Sequence, residues 1–193
     1  MVARLSRCAL RCASPGGLAY RPASPMVPST PDKTSSRVAI RIATRADVPT
    51  ILHFIRALAR YEKLEGEVVA DEPALLATLF GPRPAAEVLI AELSGAPVGF
   101  ALFFTSYSTF LAKPGLYLED LFVEPDARGR GAGLALMSAL ARIALERGYG
   151  RFEWSVLDWN EHAIRFYQGM GATVMPEWRI CRVTGDALQR FAR

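Results

Sequence analysis

Few residues in this chain can bind metals or form disulfides. Among 193 residues there are three cysteines and two histidines. Cys8 and Cys12 lie near the start and Cys181 stands alone in an apolar run, so there is no disulfide framework. A zinc clip at Cys8 and Cys12 lacks the second ligand pair that zinc needs. His53 and His162 are too few for a histidine-rich metal site. The expectation is a metal-free protein of a reducing, cytoplasmic compartment. Long apolar runs are missing as well. None reaches the roughly 20 residues of a bilayer-spanning helix, which predicts a soluble chain with no membrane partner.

Acidic residues are absent before Asp32. This matters because the formal net charge of +4 would otherwise invite a nucleic-acid reading. All of that excess lies in residues 1–36, where Arg4, Arg7, Arg11, Arg21 and Lys33 face Asp32 alone. The remaining chain balances, so it has no basic surplus to drive counterion release from nucleic acid. Residues 1–36 are rich in proline, serine and arginine. They read as a disordered or transit-like extension, with Met26 as an alternative start.

The whole chain is 51% hydrophobic, and what remains after the extension is long enough for a single core, which places one domain at 37–193. "RVAIRIAT" alternates as a strand. "ADVPTILHFIRALARYEKL" follows as a helix with Pro49 in its first turn, and "DEPALLATLFG" as a shorter one capped by Asp71. "AEVLIAEL", "VGFALFFTSY" and "GLYLEDLFV" predict a three-strand meander. "LALMSALARIALERG" predicts a helix with Leu134, Met137, Leu140, Ala144 and Leu145 facing inward. "RFEWSVLD" reads as a strand, "NEHAIRFYQGMG" as a short helix, "WRICRV" as a last strand and "TGDALQRFAR" as a closing helix. A meander followed by alternating elements predicts an α/β fold: a mixed, mostly antiparallel twisted sheet with helices on both faces.

Between the third meander strand and the long helix lies "EPDARGRGAG". Glycines let backbone N–H groups turn toward a ligand, and the following helix adds its own unpaired N–H groups and its dipole. An anion is favoured there. No Lys-Ser or Lys-Thr pair follows the last glycine, which excludes a nucleoside-triphosphate loop. Gly129, Gly131 and Gly133 do not have the spacing of a dinucleotide fingerprint.

"RGRGAG" resembles the Arg-x-x-Gly-x-Gly/Ala loop of the GNAT superfamily of acetyltransferases. "YLEDLFVEPDARGRGAG", "WNEHAIRFYQGMGA" and "LARYEKLE" resemble the diamine (spermidine/spermine) acetyltransferase branch, including its thialysine-acetylating relatives. The resemblance runs from about Arg41 to Trp178. It implies a GNAT-like fold, acetyl-CoA as co-substrate and a small-molecule amine as acceptor. It also implies a homodimer.

The resemblance also implies roles for particular residues. Arg128, Gly129, Arg130, Gly131, Ala132, Gly133 and Leu134 would hold the pyrophosphate, mainly through backbone N–H groups. Leu121, Phe122 and Val123 would offer backbone groups to the pantetheine arm. Tyr167 would be the general acid at the coenzyme sulfur. Glu119 would contact the amine, either as its base or as a substrate contact alone. Side chains alternate along a strand, so Glu119 and Asp120 are expected on opposite faces. Tyr61 and Glu62 match the acceptor segment, and Trp154, Ser155 and Glu177 are further pocket candidates. Asn160 reads both as an N-cap and as a coenzyme neighbour.

The chain also departs from the polyamine enzymes. Ala163 replaces a serine beside the coenzyme. The loop 106–115 lacks an acid, which favours a smaller, lysine-like amine over a polyamine. "TVMPEW" is shorter than its counterpart. An enzyme acting on a protein or peptide amine, and a non-catalytic acyl-CoA-binding module, are the competing readings.

Overall fold

The computed structural model describes residues 38–193; the extension expected at 1–36 lies outside the described residues. In chain order the elements are β1 (Val38–Ile42), α1 (Val48–Glu62), α2 (Glu72–Phe80), β2 (Glu87–Leu93), β3 (Ala96–Ser108) and β4 (Lys113–Val123). Then come α3 (Ala132–Glu146), β5 (Phe152–Trp154), α4 (Glu161–Gly169) and α5 (Gly185–Phe191). The sheet order is β1-β2-β3-β4-β5. The first four strands run antiparallel to their neighbours, and β5 joins β4 in parallel.

One core lies on each face of the sheet. On one side α3 places Ala132, Leu136, Met137, Leu140 and Ala144 against Leu89, Ala101, Phe103, Leu116 and Leu118. On the other, α1 and α2 place Ile51, Phe54, Leu75 and Leu79 against Val88, Ile90, Phe100 and Phe122. Leu136 and Leu140 are fully buried, and each contributes about 1.5–3 kcal/mol through its burial. Asp71 caps α2 as expected, accepting the Ala74 N–H at 2.8 Å. No helix among the described residues is long and apolar enough to cross a membrane.

Two expectations fail. Leu134 and Leu145 are 51% and 78% exposed. The α3 stripe runs through 132, 136, 137, 140 and 144, so these two leucines fall outside it. "WRICRV" forms no strand: among the described residues, no backbone hydrogen bond ties 173–183 to the rest of the chain. The alternation of Trp178 and Ile180 suits a strand, but among the described residues the segment pairs with neither edge strand, β1 or β5.

Candidate active site

The site begins with a break in the sheet. β4 and β5 pair only over Leu116–Leu118, ending at Leu118 opposite Trp154. β4 continues to Val123 with β3 on its other side, so Glu119–Val123 borders an opening between the two strands. Here the β3–β4 register also shifts. Leu102 pairs with Asp120 and Phe103 with Leu118, leaving Glu119 as an extra residue in a β-bulge.

The bulge corrects the expectation for the two acids. Leu118 and Leu121 both pack on the α3 face, while Phe122 packs on the α1 face. Counting from Leu118 and back from Phe122 puts Glu119 and Asp120 on the same α1 face. An inserted residue cancels one step of the two-residue alternation. Asp120 is pushed up to about 6, first by burial, then by the charges of Glu119 and of Glu62 at the end of α1. Burial also raises the Glu62 carboxyl. Glu62 and Glu119 thus lie close enough to act on the half-buried Asp120, a setting that favours a cation and a proton acceptor.

Tyr167 approaches from the opposite face. It is 9% exposed within the α3-side core, its ring 5.0 Å from Trp154 and 5.4 Å from Phe166. Burial pushes its phenol up to about 12. No hydrogen bond to its hydroxyl exists among the described residues. Trp154 supports this ring. Ser155 bonds the Tyr117 hydroxyl at 2.8 Å and ties β5 to β4 just before the opening.

The glycine loop lies at the far end of β4. Gly129 and Gly131 have φ of 71° and 88°, in the left-handed region that favours glycine. A Cβ at either position would stand in open space within the cradle. Gly131 begins α3 without a side-chain cap, and among the described residues the N–H groups of Ala132, Gly133 and Leu134 find no acceptor. These features fit a pyrophosphate. Arg128 turns away from the cradle: its Nε donates to the Val123 carbonyl at 3.0 Å.

Asn160 caps α4 through the Ala163 N–H at 3.2 Å and accepts from the Tyr61 hydroxyl at 3.3 Å. Ala163 packs on the α3-side core. Glu177 is not brought to the site. It lies exposed in the unpaired 173–183 segment and makes no hydrogen bond or ion pair among the described residues. Two residues passed over in the sequence belong here. Tyr117 is two residues before Glu119 on the same strand, and Trp159 packs on Tyr61 with ring centroids 6.0 Å apart. Their positions in "YLED" and "WNEH" were the available signal.

A glycine loop at a helix start thus stands at the end of β4, beside an opening between parallel β4 and β5. The sequence profile described as the acetyltransferase (GNAT) family matches residues 53–172. The chain belongs to the GNAT acetyltransferase family. It is 39% identical to an L-ornithine N5-acetyltransferase of Arabidopsis thaliana over 78% of this chain and 86% of that protein. It is 39% identical to a thialysine N-epsilon-acetyltransferase of Bos taurus over 80% of this chain and 97% of that protein. A solved integron cassette protein from the mobile metagenome of V. cholerae superposes with a TM-score of 0.69 at 28% identity. It covers 81% of this chain and 98% of its own. As a GNAT acetyltransferase the chain is an enzyme of acetyl transfer to amines, and the family uses acetyl-CoA.

Proposed function

We propose that this GNAT enzyme acetylates the primary amine of a small cationic substrate, a lysine-like amino acid or short diamine, by direct attack. The observation that supports this reading is Asp120, half-buried at the end of β4 beside the β4–β5 opening and acted on by the charges of Glu119 and Glu62, with the buried Tyr167 on the α3 side of the sheet. Acetyl-CoA supplies the acetyl group as a thioester. Gly129–Leu134 would hold its pyrophosphate through N–H groups, and the backbone of Leu121–Val123 its pantetheine arm.

The three acids attract the protonated amine. Asp120, held near 6, takes its proton directly or through water, with Glu119 as the neighbouring contact. The resemblance left Glu119 open as base or contact; this reading gives the base to Asp120, whose carboxyl burial raises. The freed nitrogen lone pair bonds the acetyl carbon as the carbon–sulfur bond breaks. Tyr167 donates its proton to the departing sulfur and regains one from the nitrogen of the adduct, leaving a neutral amide and a neutral thiol; burial favours the protonated phenol. Trp154 fixes the ring so that the hydroxyl is already oriented. A homodimer belongs to the same reading. The exposed apolar residues Trp178, Ile180 and Phe191 on the C-terminal segment support it.

The test is thiol release from acetyl-CoA across diamines, polyamines, lysine-like amino acids and peptides with free N-termini. Turnover with the small amines is expected. Turnover with peptides alone would favour a macromolecular acceptor. Coenzyme binding without any turnover would favour a binding module.

A further inference from the structure

Arg128 has the sequence position of a phosphate ligand but the contacts of something else. Besides donating to the Val123 carbonyl at 3.0 Å, its guanidinium carbon stands 5.1 Å from the Tyr61 ring centroid and 5.8 Å from that of Phe122. Tyr61 then reaches the start of α4, through its hydroxyl on Asn160 Oδ1 and its ring against Trp159. A continuous set of contacts runs from the cofactor loop, through one arginine, to the last turn of α1 and across the mouth of the opening. That last turn carries Glu62, whose charge acts on Asp120. Tyr61 is 38% exposed, so little other packing fixes it.

We propose that Arg128 is a positioning residue for the amine acceptor. It clamps Tyr61, and with it Glu62, against the end of β4 by a hydrogen bond on one side and ring stacking on the other. The planar guanidinium suits both tasks at once, because it donates in its plane and stacks on its faces. The loop offers N–H groups at Ala132–Leu134 that would meet an anion without this guanidinium. The proposal rests on the acetyl-transfer reading above and names the residue that joins its two half-sites.

The experiment compares R128Q, R128K and Y61L with the wild type. Coenzyme A binding is measured by calorimetry, and KM and kcat with acetyl-CoA and thialysine. The clamp predicts coenzyme A affinity within about threefold of wild type for R128Q, which also shows that the variant is folded. It predicts an amine KM raised at least tenfold, with kcat changed less. R128K should recover little, because lysine lacks the stacking plane. The pair R128Q/Y61L should be no more than about twofold worse than either single change. The proposal is overturned if R128Q weakens coenzyme A binding tenfold with the amine KM unchanged, if R128K restores wild-type behaviour, or if the two effects multiply. A wild type inert toward every amine would overturn the acetyl-transfer reading itself.

Discussion

Replacing Asp120 by Asn should stabilise the protein while impairing it. The carboxyl is pushed from its ordinary 3.8 to about 6 by burial and by Glu119 and Glu62. A carboxyl raised in the folded state favours its protonated form there. Its contribution is therefore full below the unfolded value near 4, declines as pH rises, and is lost above about 6. Asn imitates the protonated acid at every pH. At about 1.36 kcal/mol per pH unit, that interval is worth about 2–3 kcal/mol above pH 7, an order-of-magnitude figure. D120N should match wild type near pH 4, gain between pH 4 and 6, and hold a constant advantage above that. Urea unfolding at pH 4, 5, 6 and 8 reads the difference directly. In the same preparation kcat/KM should fall at least ~10²-fold, the scale of general base catalysis. A site kept at a cost in stability for its activity behaves this way. An Asn variant less stable than wild type at pH 8, or a difference that ignores pH, would refute the account of three crowded carboxylates.

Other outcomes follow from the same geometry. Tyr167→Phe should lower kcat by ~10²-fold or more, evenly from pH 7 to 10, because the phenol holds its proton up to about 12. With no hydrogen bond lost inside the chain, its midpoint in urea should hardly move. Gly131→Ala puts a Cβ on a backbone with φ of 88° and should cost about 1–2 kcal/mol of stability, with weaker coenzyme A binding by calorimetry. Glu62→Gln should raise the amine KM several-fold and move the acid limb of the kcat/KM profile to lower pH, since one charge that holds Asp120 up is gone.

The element order, the three-strand meander, the helices on both faces and the position of the glycine loop were legible because they follow from local patterns: two-residue alternation, helical stripes and glycine spacing. The acid pair was misread for a reason equally local. Nothing in "YLEDLFV" announces that Glu119 is an inserted residue. A bulge depends on how β3 registers against β4, a pairing between distant segments. Arg128 was assigned by motif position, and only the packed end of α1 reveals where its guanidinium goes. Leu134 and Leu145 are apolar residues just off the α3 stripe, and composition cannot tell them from its members. Trp178 and Ile180 have strand periodicity, but a strand also needs a partner, which no single-chain pattern supplies.

The central claim is that this opening passes an acetyl group to the amine of a small cation held by carboxylates. The most direct measurement offers thialysine and a lysine-free peptide with a free N-terminus together, at equal concentration, with acetyl-CoA, and follows both products by mass spectrometry. The account predicts that acetyl-thialysine forms first and dominates, and that Glu62→Gln narrows the ratio. Acetyl-peptide accumulating while thialysine stays unmodified would contradict it.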